Sequence, residues 1–263
     1  MNTETLRAAS DLLVRHWQNG TVLDALPTGM RPNTREEGYA IQAQIEALSN
    51  QPLWGWKIAA TSLAGQKHIG IDGPIAGRLL KEMVLQEEEV VPFGANRMRV
   101  AEAEFAFKMG RDLPPRASPY SRDEVMDAVA DLYLGLEFPD SRYADFAEVG
   151  GPQLIADNAC AHLFVIGPKA PDIWREIDLS EHRIVGKTSD WILREGIGSN
   201  VLGDPRIALT WLANELSAIG VTLSAGQSVT TGTCLVPMEI QQGDKVSADF
   251  GVLGQVHARL SDR

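Results

Sequence analysis

The 263-residue sequence has only two cysteines, Cys160 and Cys234, and they stand far apart. They give neither a zinc-ligand spacing nor a disulfide framework, and nothing in the chain requires an oxidising compartment. Basic residues are also scarce: 24 Lys and Arg face 35 Asp and Glu, for a net charge of −11. A surface of that sign repels phosphate backbones and anionic lipid, so nucleic acid is not the expected partner. No apolar run reaches membrane-spanning length, and Met1-Asn2-Thr3-Glu4 lacks the basic and apolar regions of a secretory signal. The expectation is a cytoplasmic protein without a membrane partner. Repeats, linkers and low-complexity tracts are missing too, and a hydrophobic content of 44% suits one large domain or one with a small appendage.

Familiar motifs fail on inspection. Gly186-Lys187-Thr188 lacks the upstream glycine of a phosphate loop, since Glu181 holds that position. Gly196, Gly198 and Gly203 are spaced wrongly for a dinucleotide fingerprint, and no serine sits in a nucleophile elbow. His16, His68, His162, His182 and His257 form no ligand spacing, with His68 kept as the one candidate for a site.

The chain opens with the helical spacing Leu6, Ala9, Leu13, Trp17 up to Gly20. A second helix is announced by Thr34 and Glu37 as a capping box, with Ile41, Ile45 and Leu48 as its stripe and Pro52 as its end. Residues 53–60 read as a strand, apolar except for Lys57, and residues 62–70 as a short helix or loop. Residues 83–92 read as one strand with an acidic patch. Ser121 and Glu124 open a helix expected to run through Val125, Val129 and Leu132. Asp204 and Pro205 start another that ends at Gly220, and short strands follow over 221–260, with a turn at Gln242-Gly243-Asp244. Helices interspersed among strands without strict alternation indicate an α+β fold.

Within Val100-Ala101-Glu102-Ala103-Glu104-Phe105-Ala106-Phe107, alternation places Glu102 and Glu104 on one strand face. Alternation alone equally fits a solvated strand of an antiparallel sheet. The apolar neighbours favour burial, where adjacent carboxylates repel unless protonated or bridged by a cation. Glu137, inside Gly135-Leu136-Glu137-Phe138-Pro139, is a third carboxylate in apolar surroundings. Three glutamates converging on one cation give all-oxygen ligation, which suits Mg²⁺ or Mn²⁺ better than Zn²⁺. Lys57 either extends its head to water along an apolar stem or, if buried, is a proton-transfer candidate.

The ordered segments WKIAATS, GIDGPIAGRL, AEAEFAFKMGRDLP, LGLEFPDSR, IADNA, GSNVLGDP and TTGTCLVP span nearly the whole chain. In this series the sequence resembles the 2-keto-4-pentenoate hydratases, the hydratase/decarboxylase branch of the fumarylacetoacetate hydrolase superfamily. The Glu-x-Glu strand with its downstream acid carries the superfamily likeness, and the lysine strand with Asp157-Asn158-Ala159 narrows it to the branch. The resemblance implies a mixed β-roll at 81–263 covered by an N-terminal α/β layer at 1–80. It implies Glu102, Glu104 and Glu137 as ligands of Mg²⁺ or Mn²⁺, Lys57 and Asp72 as catalytic residues, and Ser62, Gly232 and Thr233 as substrate contacts. The substrate is then a small 2-oxo acid or its dienol. Members are homo-oligomers, and related hydratases and decarboxylases can associate.

The implied reaction adds water to a 2-hydroxy-2,4-dienoate through a cation-stabilised enolate, giving a 4-hydroxy-2-oxo acid. Alternatives are decarboxylation of a 2-oxo-dioic acid of the 4-oxalocrotonate type, hydrolysis of an acylpyruvate, and a non-catalytic assembly partner. Arg142 or Arg78 would supply the cationic recess that a diacid needs. Ala59, Ala60, Asp140 and Cys160-Ala161-His162 depart from the branch pattern and bear on the substrate tail.

Overall fold

A computed structural model describes residues 1–189 and 191–262. Asn2 accepts a hydrogen bond from the Thr5 amide and opens helix α1 (Thr3–Asn19), which Gly20 closes in the left-handed region. Helix α2 (Arg35–Gln42) continues as a 3₁₀ stretch over Ala43–Leu48. Thr34 accepts from the Glu37 amide, but the Glu37 carboxylate turns to the Asn33 amide and the N-terminal ammonium, so the expected reciprocal box is half made.

Strand β1 (Gly55–Ala59), the short helix α3 (Leu63–His68) and strand β2 (Ile75–Leu79) come next. The segment expected as one strand over 83–92 divides into β3 (Val84–Gln86) and β4 (Val90–Val91), because Glu89 reaches back to the Gln86 amide and turns the chain. The two halves then join different sheets. Strand β5 (Val100–Met109) carries the paired glutamates.

Ser121 and Glu124 do form a full capping box, yet helix α4 (Arg122–Asp127) stops after six residues. Val129 and Leu132 belong to strand β6 (Val129–Phe138). The ladder with β5 and the apolar face it buries outweigh the helical start.

Helix α5 (Gly151–Ala156) and strands β7 (Leu163–Lys169), β8 (Arg183–Thr188) and β9 (Ile192–Ile197) precede helix α6 (Pro205–Ala218), whose Asp204 cap and initial proline were legible in sequence. Strands β10 (Ser228–Thr233), β11 (Met238–Glu239), β12 (Lys245–Asp249) and β13 (Gln255–Leu260) complete the chain.

Among the described residues the main sheet has the order β2-β1-β10-β5-β6-β7-β3, with β11 paired to β5. A second sheet runs β4-β13-β12-β8-β9. Most pairs are antiparallel, while β1–β10, β3–β7 and β4–β13 are parallel, so the sheets are mixed, as the β-roll implied by the resemblance is. The two sheets bury Phe105, Phe107, Phe250, Val246 and Val256 in one core. A smaller core of Ala9, Leu13, Leu26, Ile41 and Tyr143 seats α1 and α2. Strands β1 and β2, from the expected N-terminal layer, are hydrogen-bonded members of the main sheet, which brings Lys57 beside the glutamate strands.

Candidate active site

The β5–β6 register sets Glu102 opposite Glu137 and Glu104 opposite Gly135. One carboxylate oxygen from each of Glu102, Glu104 and Glu137 lies within 4.8 Å of the others. Glu104 and Glu137 are 0% and 1% exposed, and Glu102 is half-buried where it opens to a cavity.

Like charge and burial show in the titration of the cluster. Desolvation and then Glu137 push the Glu102 carboxyl up to about 7, against the pull of Lys57. Burial, Glu137 and Glu102 push Glu104 well above the carboxylate range.

The Gly232 amide donates to Glu104 Oε2 at 2.9 Å, while Glu104 Oε1 and Glu137 Oε2 are buried without a hydrogen-bond donor among the described residues. Such oxygens cost free energy unless something occupies their lone pairs. An all-carboxylate donor set with unused oxygens matches a hard divalent cation.

Lys57 is 3% exposed, so it is buried and does not extend to solvent. Its Nζ lies 3.0 Å from Glu137 Oε1 and donates to the Ala159 carbonyl at 3.0 Å. Burial opposes the ammonium charge, but Glu137, Glu102 and Glu104 together outweigh it and raise the lysine above its ordinary value. The Ala159 carbonyl carries no signal in the sequence, because a backbone acceptor does not depend on residue type.

That carbonyl is presented by an unusual backbone: Asn158, Ala159 and Cys160 all have positive φ, at 56°, 51° and 60°. Consecutive non-glycine residues there are strained and persist only where the surroundings fix them. Asn158 is clamped to β2, accepting from the Arg78 amide at 2.6 Å and donating to the Arg78 carbonyl at 2.8 Å. Asp157 is held by the Ser141 hydroxyl at 2.7 Å and by the Arg142 guanidinium, which also reaches the Asp157 and Ala161 carbonyls.

Both arginines offered as a cationic recess are thereby withdrawn from the site. Arg142 is committed to Asp157, and Arg78 binds Glu46 and Gln42 and stacks over Trp56 with 4.6 Å to the ring centroid. Neither lines the cavity.

The cavity has a volume of about 700 Å³, and its lining includes Lys57, Ser62, His68, Glu102, Cys160 and Thr233. Ser62 also caps α3 by accepting from the Gly65 amide, and Thr233 donates to the Leu235 carbonyl at 2.8 Å. Gly232 lies behind the lining, with its amide engaged by Glu104. Asp72 is exposed and absent from the lining, and the structure does not bring it to the glutamates.

His68 meets the Phe146 ring edge to face at 5.9 Å and hydrogen-bonds to no carboxylate among the described residues, so it lacks the Glu partner of the hydrolase reading. Burial and Asp157 push the Cys160 thiol up to about 12, which leaves it a neutral wall residue. His162 accepts from Trp17 Nε1 at 2.7 Å, and Asp140 accepts from the Arg97 and Met98 amides, fixing the approach to β5.

Gly232 has φ +97°, and a Cβ there would fall 2.4 Å from Thr61 Oγ1. Gly232→Ala is expected to cost roughly 1–3 kcal/mol in stability and to weaken divalent-cation binding by displacing Glu104. Denaturant unfolding and calorimetry check this, and a variant with wild-type values in both would contradict the geometry.

The fumarylacetoacetate (FAA) hydrolase C-terminal model matches residues 80–261. The chain belongs to the fumarylacetoacetate hydrolase family. Within that family it is 31% identical over 227 residues to a 2-keto-4-pentenoate hydratase of Paraburkholderia phymatum, covering 85% of each chain. It is also 31% identical to 2-keto-4-pentenoate hydratase 1 of Dechloromonas aromatica, over 95% of each chain. A 2-oxo-hept-4-ene-1,7-dioate hydratase of Escherichia coli is 29% identical, with 86% of this chain and 87% of that one aligned. Among solved structures, 4-oxalocrotonate decarboxylase from Pseudomonas putida G7, complexed with magnesium and adipate, superposes with a TM-score of 0.89. That match covers 99% of this chain and 98% of the other at 24% identity, a likeness of fold.

Proposed function

We propose that this protein is a metal-dependent hydratase that converts a 2-hydroxy-2,4-dienoate into a 4-hydroxy-2-oxo acid. The observation that carries the reading is the trio Glu102, Glu104 and Glu137, with buried oxygens lacking donors, beside a buried lysine on a substrate-sized cavity. The three carboxylates would hold Mg²⁺ or Mn²⁺. When bound, that ion supplies Lewis-acid stabilisation to the substrate oxygen on which negative charge develops.

The chain's own residues supply the remainder. Lys57, aligned by Ala159 and Glu137, delivers a proton at carbon 5 of the dienol, and the 2-hydroxyl loses one, which gives the 2-oxo-3-enoate. Water then adds at carbon 4, releasing a proton, and Lys57, recharged from solvent, delivers the proton that ends on carbon 3. Ser62 and Thr233 border the substrate from the wall. Asp72, exposed and outside the lining, takes no step here.

Hydration is favoured over decarboxylation by the 31% identical hydratase relatives and by the commitment of Arg78 and Arg142 elsewhere. Product analysis by NMR separates the two reactions. Metal-dependent 4-hydroxy-2-oxopentanoate from 2-hydroxypenta-2,4-dienoate is expected, and faster CO₂ release from a 2-oxo-dioic acid would overturn the assignment.

Glu102→Gln should weaken metal binding by at least the roughly 10–100-fold lost when a partner that only supports a ligand is removed, without unfolding the protein, since Glu102 lies at the cavity edge. Calorimetric titration with unchanged affinity would remove Glu102 from the ligand set.

The raised carboxyls also set a pH dependence. Between the ordinary value near 4.5 and about 7, Glu102 holds its proton in the folded state and not in the unfolded one, so its contribution to stability falls as pH rises across that interval. The raised Lys57 acts only above its ordinary value of 10.5, outside this window. Burial pushes His162 down to about 4, which acts in the opposite direction over part of the same interval, so the cluster is isolated by its cation: the stabilisation gained on saturating with Mg²⁺ should grow from pH 4.5 to 7 as the carboxyls give up their protons. An Mg²⁺-induced rise in melting temperature that stays constant or shrinks over that range would contradict the burial of the cluster.

A further inference from the structure

The cavity is far larger than a five-carbon acid requires, and most of its wall is apolar. Met98, Val100 and Glu102 stand at alternate positions of the chain entering β5, so the wall turns from carboxylate to aliphatic with distance from the glutamates. Ile69, Phe146 and Leu154 extend the apolar wall, and Phe146 is held against the His68 ring. Among the described residues lining this space, Lys57 is the one Lys or Arg, and it is bound to Glu137 and Ala159 at the carboxylate end.

A second carboxylate carried into the apolar part would lose its water and find no guanidinium or ammonium, only the His68 ring packed edge to face on Phe146. A hydrocarbon tail meets matching walls, and each buried methylene raises affinity about three- to fourfold.

We propose that the site selects 2-hydroxydienoates, with their 2-oxo-enoate tautomers, that carry a bulky uncharged substituent beyond carbon 5, an alkyl chain or an aryl ring, and discriminates against diacids. This rests on the hydratase reading for the head of the substrate. It sets the protein apart from the relative named for a 1,7-dioate and from the structural neighbour holding adipate.

The test is calorimetric binding of pyruvate, 2-oxooctanoate, 4-phenyl-2-oxobutanoate and 2-oxoadipate to the full chain loaded with Mn²⁺, which needs no turnover. The expected order is 2-oxooctanoate and 4-phenyl-2-oxobutanoate at least thirtyfold tighter than pyruvate, with 2-oxoadipate no tighter than pyruvate. In Met98→Arg the gap between 2-oxooctanoate and 2-oxoadipate should narrow about a hundredfold, the diacid gaining about tenfold and the octanoate losing as much. Metal-dependent pyruvate binding combined with a preference for 2-oxoadipate, or with equal affinity for all four, overturns the tail assignment and leaves the head assignment standing. Binding of none of the four overturns the hydratase reading and this inference with it.

Discussion

Lys57→Met is expected to bind Mn²⁺ but to lose turnover and solvent-deuterium exchange at carbon 3 of a 2-oxo acid by roughly 10²–10⁴-fold, the usual contribution of a positioned acid or base. Methionine keeps the length and apolar stem of the lysine in β1, so the pairing with β2 and β10 survives. The ammonium alone is lost. Without it the carboxylates of Glu137, Glu102 and Glu104 lose the one buried cationic partner they have among the described residues, and the metal-free variant should be less stable than the wild type. Saturating Mn²⁺ should restore most of that stability, because the ion replaces the missing positive charge. Retained exchange would remove Lys57 from the mechanism, and loss of metal binding together with exchange would assign it to the structure of the metal site.

The second large effect is on stability. Arg142→Leu should cost roughly 3–5 kcal/mol, since it strands Asp157, a buried carboxylate, without its cation. Burial already pushes Asp157 upward despite Arg142, so removal of the guanidinium would drive it to protonate. The same guanidinium steadies the carbonyls of Asp157 and Ala161 around the left-handed run Asn158–Cys160, so whatever variant folds should misplace the Ala159 carbonyl and slow Lys57. Asp157→Leu in the Arg142→Leu background should recover part of the lost stability, because the stranded charge is then gone. Chemical denaturation of the single and double variants checks this. Equal stability of Arg142→Leu and wild type would mean that the pair does not hold the loop.

How much was legible beforehand depends on the range of the physics involved. The face shared by Glu102 and Glu104 is a period-two property of one strand and was readable, as were the Asp204-Pro205 helix start and the α1 stripe. Glu137 was suspect as a charge in an apolar run, but its position opposite Glu102 is a pairing register set by residues far away in sequence. The helix expected through Leu132 failed because a short apolar run after a good cap fits a strand or a helix, and the neighbouring β5 decides. Arg142 and Arg78 were misjudged as substrate contacts because exposure cannot be read from residue type, and their partners come from other elements. Three consecutive left-handed residues at Asn158–Cys160 leave little trace in a sequence without glycine at those positions.

The most direct test follows the dienol absorbance of 2-hydroxypenta-2,4-dienoate with purified protein in Mg²⁺ and in EDTA, for wild type and for Glu104→Gln. Glutamine keeps an acceptor for the Gly232 amide but removes the charge at the centre of the trio. Rapid consumption by the wild type in Mg²⁺, abolished by EDTA and by Glu104→Gln, is the predicted result. Turnover that is indifferent to EDTA or intact in the variant would contradict a cation held by Glu102, Glu104 and Glu137 as the centre of the reaction.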